Sequence, residues 1–485
     1  MLERFGMTPD VLDRARRSRD PRFDGKFFIA VTSTRIYCRS ICPAKTSKAA
    51  NVRFYATAAE AAAAGFRPCL RCRPEAAPGS PAWLGTSAVV RRALRMIQEG
   101  ALDEGTVEQL ASRLGVGVRH LCRLFTRHVG ASPGAVAQTR RLHFAKQLLD
   151  ETRLPITAVA LGSGFRSVRR FNDVFKSMYR RPPREIRKVG RPGPDAEIRL
   201  RLTYRPPYDW AHLSRFLASE AIRGVESVAT GAYQRTVRAS DGYAIVRIAP
   251  VAGADALELR IRGGEPSDLL SLSSSVRRMF DLSADPSRIT EVLQRDPRLR
   301  GLVGQRPGLR IPGNWDPFES GVRAIVGFRR AGQAMLRLLG RLIARAGERI
   351  CDDESGLNYL FPTAQSVLDA ELESIGLSAA CAARLQSFAR AMHEAAKLSA
   401  GSGERLMQAL AAFPDIGPWA ADYVALRGLG EPDAFPHDDR VLLRQASLTA
   451  MPLTTQELEV RAELWRPFRG YAVLHLREAD TRARR

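Results

Sequence analysis

Apolar residues recur at helical spacing through residues 86–188, and this pattern predicts a series of short helices. Residues 106–125 contain two amphipathic segments separated by a glycine-containing break, which is typical of a helix-turn-helix. A similar unit recurs at 155–176, and a long helix over about 133–150 would join the two units. We therefore expect two recognition helices in one all-α domain, although an all-helical bundle with solvated arginines would show the same periodicity.

The second helix of each unit is predicted to be basic and exposed, as expected for a helix that enters the major groove. The candidate DNA contacts on these two helices are Arg119, His120, Arg123, Arg166, Ser167, Arg169 and Arg170. Because one chain would already span two segments of the groove, a monomer is adequate for binding.

Alternation of apolar and polar residues replaces the helical period in residues 197–304. The segments I-R-L-R-L-T-Y, Y-A-I-V-R-I-A and L-E-L-R-I-R alternate with period two, and a helix at 210–219 lies between them. This region is predicted to be α+β with an antiparallel sheet. From residue 315 onward the helical spacing returns.

The most informative segment of the second helical region is residues 410–430. The letters P-D-I-G predict a tight turn between two short helices, which is the helix-hairpin-helix pattern. Backbone N–H groups of such a turn, at Ile416 and Gly417, would bind a DNA phosphate without any side chain. The segment 433–440 follows, and a carboxylate there is a candidate catalytic group.

Two pairs of cysteines near the N-terminus predict a metal site. Cys38 and Cys42 lie in Y-C-R-S-I-C-P, and Cys69 and Cys72 lie in R-P-C-L-R-C-R-P. Two short-spaced pairs separated by a few tens of residues are typical of one tetrahedral Zn²⁺ with four thiolate ligands. Spacing alone favours a purely structural role, because most all-cysteine zinc sites are structural.

The basic residues around the cysteines change that interpretation. The candidate DNA contacts near the site are Arg35, Arg39, Lys45, Arg67 and Arg71. Zinc with four thiolates carries about two negative charges, which these cations would partly offset. They would also hold a nucleic-acid phosphate close to a metal-activated sulfur.

Proline and glycine cluster at 78–81, 189–195 and 305–313, which we interpret as linkers. We expect a multidomain α+β protein made of a small four-cysteine zinc domain, an all-α tandem helix-turn-helix domain, an antiparallel α+β domain and an all-α helix-hairpin-helix domain. The predicted domain boundaries are residues 1–80, 86–188, 197–304 and 311–485.

Composition supports a DNA-facing protein. The 485 residues carry a formal net charge of +24, and such an excess favours a polyanionic partner, most commonly nucleic acid. Seven cysteines, four of them in paired motifs, favour a reducing cytosol over a disulfide scaffold. No secretory h-region and no membrane-length apolar run is present, so we expect a cytoplasmic, nucleoid-associated bacterial protein with no membrane partner.

These motifs together resemble a known fusion of families. Residues 12–80, with D-P-R-F-D-G-K-F, N-V-R-F-Y and both cysteine motifs, resemble the methylphosphotriester-accepting domain of the Ada type. Residues 86–188, with G-F-R-S-V-R-R-F-N-D-V-F-K, resemble an AraC-type DNA-binding domain. Residues 197–485, with F-P-x-I-G-P-W-A-A-D-Y-V-A-L-R-G and D-A-F-P-x-x-D, resemble an AlkA-type 3-methyladenine DNA glycosylase II.

The Ada and AraC resemblances imply a sensor of DNA methylation. Cys38 would accept the methyl group irreversibly, and the other three cysteines would complete the zinc site. Methylation of one thiolate would remove a negative charge and reduce repulsion toward DNA phosphates. The protein would then bind alkylated and promoter double-stranded DNA, with RNA polymerase as a further partner.

The AlkA resemblance implies excision of alkylated bases of the 3-methyladenine type. Asp439 matches the catalytic aspartate, and Asp438 is the fallback, although either could be a solvated carboxylate at a helix start. Trp419 and Tyr423 match aromatic positions near the base pocket, where a ring face would hold a cationic base. Core packing is the competing interpretation, most of all for Trp419.

Four positions depart from the AlkA pattern, namely Phe328, Arg329, Asp415 and Arg477. A carboxylate in the hairpin would face a phosphate, and a buried arginine would repel a cationic base. These departures support an alternative function, a methylation-sensing transcription factor whose glycosylase-like domain is inactive and only binds DNA.

Overall fold

The structure is a computed structural model that describes residues 7–74, 77, 88–98, 100–103, 105–187, 197–328, 330, 332–352, 356–397, 410, 417–436, 440–448 and 451–483. We call residues 7–74 the cysteine unit, residues 88–187 the helical unit and residues 197–483 the C-terminal half. Among the described helices, none combines the length and the apolar composition needed to span a bilayer.

The cysteine unit is built on a four-stranded sheet. Its elements are α1 (Pro9–Ser18), β1 (Phe28–Val31), β2 (Ile36–Arg39), β3 (Val52–Tyr55), α2 (Ala58–Ala63) and β4 (Arg67–Pro68). The strand order is β3-β1-β2-β4, in which β1 is antiparallel to β2 and β3, whereas β2 and β4 are parallel. Thr57 begins α2 because its hydroxyl accepts a hydrogen bond from the Glu60 N–H at 3.0 Å.

The helical unit confirms the predicted tandem helix-turn-helix. Its helices are α3 (Ala88–Gln98), α4 (Val107–Arg113), α5 (Val118–His128), α6 (Pro133–Glu151), α7 (Ile156–Gly162), α8 (Val168–Tyr179) and α9 (Pro183–Ile186). The two units are α4–α5 and α7–α8, and α6 is the long helix that joins them. A capping box of Thr106 and Gln109 begins α4, and Ser132 followed by Pro133 begins α6.

The C-terminal half begins with a five-stranded antiparallel sheet, as predicted. Its elements are β5 (Glu197–Thr203), α10 (Trp210–Glu220), β6 (Glu226–Ala229), β7 (Ala232–Arg238), β8 (Tyr243–Pro250) and β9 (Ala256–Gly263), in the strand order β5-β9-β8-β7-β6. Leu200 and Leu202 are buried, whereas Arg199 and Arg201 are exposed. This alternation is the period of two that predicted the sheet.

Helices form most of the remaining chain. They are α11 (Leu269–Met279), α12 (Pro286–Leu293), α13 (Pro297–Gln305), α14 (Pro317–Gly327), α15 (Gln333–Ala346), α16 (Ala364–Leu368), α17 (Ala379–Lys397), α18 (Gly417–Arg427), α19 (Arg440–Gln445), α20 (Thr455–Ala462) and α21 (Arg469–Ala483). Asp285, Asp296 and Asp316 each cap a helix whose first residue is proline. The multidomain α+β fold class is confirmed, while the exact domain boundaries stay predictions.

Buried polar contacts join the cysteine unit to the C-terminal half. The Arg205 Nε donates to the Asp24 carbonyl at 2.9 Å, and Arg205 is fully buried. The Lys26 Nζ lies 2.7 Å from the Asp285 Oδ2, with both side chains almost inaccessible to solvent. These contacts fix the cysteine unit against the start of α12.

The cysteine unit also contacts α6 of the helical unit. The Tyr37 Oη and the His143 Nε2 lie 2.9 Å apart. The Arg73 Nε lies 2.9 Å from the Asp150 Oδ2, and its Nη2 lies 3.2 Å from the Glu151 Oε1. Tyr37 and Arg73 each adjoin a cysteine of the cluster, so the metal-binding segments rest directly on α6.

We expect Lys26→Met to destabilise the protein by about 3 kcal/mol, because the buried Asp285 carboxylate would lose its cation. Thermal denaturation measures the effect as a lowered transition temperature. Lys45→Met removes an exposed lysine from the same unit and should leave that temperature unchanged. Equal transition temperatures for the two variants would show that the buried pair does not hold the units together.

Candidate metal centre and nucleic-acid surfaces

Strand pairing brings the two cysteine pairs together. Cys38 lies on β2 and Cys42 in the turn after it, whereas Cys69 and Cys72 follow β4. Because β2 and β4 are parallel neighbours, with the Cys69 N–H donating to the Tyr37 carbonyl at 2.9 Å, both pairs reach the same end of the sheet. The four Sγ atoms all lie within 4.8 Å of one another.

The donor set fits one zinc ion. Zn–S bonds of about 2.3 Å place tetrahedral sulfurs roughly 3.8 Å apart, which agrees with the compact cluster. Hydrogen bonds among the thiols lower the pKa of Cys69 and bring the pKa of Cys42 down to about 7, while they raise the pKa values of Cys38 and Cys72. The compact four-sulfur cluster and the spacing of its two cysteine pairs fit a tetrahedral metal ion, and the cofactor is one Zn²⁺.

The four sulfurs differ in exposure and in hydrogen bonding. Cys69 and Cys72 are each 7% exposed, whereas Cys38 and Cys42 are half-buried. The Cys72 Sγ accepts the Arg39 N–H at 3.3 Å, and backbone N–H groups also contact Cys42 and Cys69. Of the four cysteines of the cluster, Cys38 and Cys42 are the two that remain partly open to solvent.

Arg39 differs from the other basic residues predicted near the cluster. Those that reach solvent are Arg35, Lys45 and Arg71, and Arg67 is half-buried. Arg39 is 8% exposed, and its Nε donates to the Asp24 Oδ1 at 2.9 Å. Its Nη1 donates to the Cys72 carbonyl at 3.2 Å. The structure therefore places Arg39 inside the cysteine unit, where it hydrogen-bonds both Asp24 and the segment that carries Cys72. The prediction that Arg39 is a surface contact for DNA is corrected.

The predicted recognition helices α5 and α8 present their polar residues to solvent. The exposed residues are Arg119, His120, Arg123, Arg166, Ser167, Arg169 and Arg170. Ser167 also caps α8, since its Oγ accepts the Arg170 N–H at 3.3 Å. On the opposite faces, Leu121, Phe125 and Phe171 are fully buried. Burial of one face holds the basic face outward.

Three aromatic rings lie together in the C-terminal half. Trp419 and Tyr423 are one turn apart on α18, with ring centroids separated by 5.4 Å. Phe328, which follows α14, has its ring centroid 6.1 Å from that of Trp419. All three side chains are half-buried, so they form a partly open aromatic wall. The sequence identified Trp419 and Tyr423 as candidate pocket residues but treated Phe328 only as a departure.

Several predicted residues of this site lie outside the described residues, namely Arg329, Asp415, Ile416, Asp438 and Asp439. Gly417, the predicted phosphate-binding glycine, is the first residue of α18 and is buried. Arg477 is half-buried on α21.

A polar network next to the aromatic wall was missed by sequence analysis. The Arg427 Nη1 donates to the Tyr423 Oη and pairs with the Glu220 Oε2, each at 2.7 Å. Burial raises the pKa of Tyr423, which stays a neutral phenol. The spacing of Tyr423 and Arg427 along one helix could have indicated their contact. No signal in the sequence pointed to Glu220, which comes from the distant helix α10. The network fixes the orientation of the Tyr423 ring.

Family models match three parts of the chain. The metal binding domain of Ada matches residues 12–75, a helix-turn-helix domain matches residues 110–189, and the AlkA N-terminal domain matches residues 199–316. The matched segments follow the order of the cysteine unit, the helical unit and the sheet of the C-terminal half.

Named relatives cover the same arrangement. The chain is 38% identical, over 96% of its length and 95% of the relative's, to the Mycobacterium tuberculosis protein named "Probable bifunctional transcriptional activator/DNA repair enzyme AlkA". It is 32% identical to DNA-3-methyladenine glycosylase 2 of Escherichia coli, over 57% of this chain and 95% of that protein. It is 36% identical to the Escherichia coli bifunctional transcriptional activator/DNA repair enzyme Ada, over 33% of this chain and 43% of that protein.

We expect Cys69→Ser to lose the bound zinc and to loosen the cysteine unit, because a buried thiolate ligand is removed. Elemental analysis of purified protein and limited proteolysis measure the two effects. Cys122→Ser changes a half-buried cysteine on α5 and should retain one zinc per chain. One equivalent of zinc in Cys69→Ser would contradict the four-cysteine site.

Proposed function

Because the chain belongs to the family of bifunctional proteins that join Ada-type and AlkA-type domains, we propose that it both senses and repairs DNA alkylation. It takes methyl groups from DNA methylphosphotriesters at Cys38 and excises alkylated bases through Asp439. The observation that carries the proposal is the four-cysteine cluster, in which Cys38 remains partly accessible to solvent.

The methyl transfer is a direct displacement by the Cys38 sulfur. Bound Zn²⁺ keeps the ligand sulfurs ionised at neutral pH, where a free thiol with a pKa of about 8.5 is mostly protonated. The Sγ forms a bond to the methyl carbon while the carbon–oxygen bond of the triester breaks. The electron pair of that bond goes to the phosphate oxygen and restores an anionic diester. S-methylcysteine cannot be reversed by any group in this site, so each chain reacts once.

Exposed cations around the cluster hold the DNA backbone in place. Arg35, Lys45 and Arg71 are exposed in the same small unit as Cys38. A methylated phosphate is uncharged, but its neighbours along the strand remain anionic and attract these side chains. These contacts position the DNA through its phosphates and do not read its base sequence.

The methylated cluster acts as a switch for transcription. Methylation of Cys38 removes one negative charge from the cysteine unit, which reduces its repulsion of DNA phosphates. The exposed faces of α5 and α8 then bind promoter DNA in successive major grooves. A single chain supplies both helices, so the protein acts as a monomer. It contacts RNA polymerase at the promoter, within the bacterial nucleoid.

Base excision in the C-terminal half uses an aromatic pocket and a carboxylate. The flipped base, cationic because of its alkylation, lies against Trp419 and Tyr423, whose ring faces attract a cation. The N-glycosidic bond breaks with its electron pair on the base, which leaves neutral. Asp439 stabilises the positive sugar and accepts the proton of the attacking water. The backbone of Ile416 and Gly417 holds a DNA phosphate.

Wild-type protein should gain one methyl group after incubation with methylated duplex DNA, and Cys38→Ser should gain none. Intact-mass measurement detects the difference. Cys122→Ser is the matched control, since it keeps all four cluster cysteines and should be methylated like the wild type. Promoter affinity, measured in parallel, should rise on methylation in the wild type only. A rise in Cys38→Ser would contradict the switch.

The Asp439→Asn variant should lose release of 3-methyladenine from alkylated duplex DNA by at least about a hundredfold, as expected when a charge-stabilising group is removed. Abasic-site formation is the measurement. Asp438→Asn changes the adjacent carboxylate and should retain most of the activity. If wild type and Asp439→Asn release bases equally slowly, the alternative of a methylation sensor with an inactive glycosylase-like half replaces this part of the proposal.

A further inference from the structure

A cavity of about 400 Å³ lies where the cysteine unit, the helical unit and the C-terminal half meet. Thr57 lines it from the cysteine unit, Arg91 from α3, Arg140 from α6 and Arg277 from α11. Its volume is in the range of small-molecule sites. It is separate from the cysteine cluster and from the aromatic wall, since none of their residues lines it.

Basic residues outnumber acidic residues in the lining. The cations are Lys26, Arg91, Arg95, Arg140, Arg277 and Arg278, and the carboxylates are Asp281, Glu431 and Asp433. Each carboxylate already has a partner, which is Tyr471 for Asp281, Arg95 for Glu431 and Arg469 for Asp433. The acidic residues therefore do not neutralise the remaining cations.

Most of the cations are also engaged. Lys26 pairs with Asp285, and the Arg140 Nη1 lies 2.9 Å from the Asp103 Oδ2. Arg278 donates to main-chain carbonyls, including that of Asn314 at 3.2 Å. Arg91 and Arg277 remain, and no carboxylate of the described residues forms an ion pair with either.

Arg277 is the most informative of these side chains. It lies deep in the protein, yet part of its surface stays accessible because it borders the cavity. Its Nη1 reaches the Thr203 carbonyl at 3.5 Å, which is a long contact. Burial lowers the pKa of Arg277 to about 10, although the charge of Glu151 opposes the shift. A guanidinium that has lost most of its water without forming an ion pair favours binding of an anion.

The cavity also has an apolar part. Leu94 and Ile97 from α3 and Leu270 from α11 line it together with Phe144 of α6. A free inorganic anion would leave this surface uncovered, whereas a ligand with an organic group would fill it. Guanidinium groups match phosphate oxygens with paired, charge-assisted hydrogen bonds.

We propose that this cavity binds a small organic phosphate of mononucleotide size, with the phosphate on Arg277 and Arg91 and the organic group against the leucines and Ile97. Because all three parts of the chain contribute to the walls, the ligand stabilises their packed arrangement. A molecule that binds only the assembled state stabilises it by an amount that grows with the logarithm of the ligand concentration relative to its Kd.

The test uses the zinc-loaded full chain and calorimetric titration at physiological ionic strength. The probes are deoxyadenosine 5′-monophosphate, ribose 5-phosphate, inorganic phosphate and uncharged deoxyadenosine. We expect the organic phosphates to bind and to raise the thermal transition temperature, and Arg277→Gln to weaken their binding by about tenfold to a hundredfold. Arg215→Gln removes an exposed arginine of α10 that does not line the cavity, and this variant should bind them like the wild type.

Absence of organic phosphate binding by the wild type would overturn the proposal. Equal affinity in Arg277→Gln, or an equal loss in Arg215→Gln, would also overturn it, since binding would then not depend on the cavity. Inorganic phosphate that binds as tightly as the organic phosphates would overturn the role of the apolar wall. If Arg277→Gln fails to fold, Arg91→Gln provides the same comparison from α3.

Discussion

The two polar groups of Asp24 connect the cysteine cluster with the C-terminal half. Its carboxylate accepts the Nε of Arg39, the residue after Cys38, at 2.9 Å, and its carbonyl accepts the Nε of Arg205 at the same distance. Both arginines are removed from water, so each needs these acceptors to compensate the lost hydration. The position of Cys38 therefore depends on contacts that also join the cysteine unit to the C-terminal half.

The arginines of the protein form two groups, one buried in the fold and one exposed to solvent. Some arginines are nearly inaccessible and serve the fold, namely Arg205, Arg235, Arg310 and Arg323. Glu226 and Glu319 neutralise two of them, with the Arg235 Nη2 lying 2.7 Å from the Glu319 Oε2. The arginines of α5 and α8 are exposed and stay available to DNA. A net charge of +24 therefore indicates a polyanionic partner without saying which cations meet it.

The cysteine cluster and the aromatic wall require different electrostatic surroundings. A thiolate that attacks a DNA backbone needs exposed cations nearby, and the cysteine unit provides them. A pocket for a cationic base needs aromatic faces without free positive charge. Arg427 lies beside Tyr423, yet its pair with Glu220 at 2.7 Å offsets its charge. Folding thus makes the proposed base pocket compatible with a cationic base in a chain that is strongly basic.

The sequence by itself determined the ligands of the metal site, because two short-spaced cysteine pairs suffice for a tetrahedral zinc centre. It also determined the tandem helices and the antiparallel sheet, whose periods of 3.6 and two are local properties of the chain. Only the tertiary structure decided that Arg39 is buried against Asp24 and that Phe328 completes the wall with Trp419. These outcomes require segments distant in sequence to pack, since burial and charge pairing depend on which neighbours a side chain meets after folding.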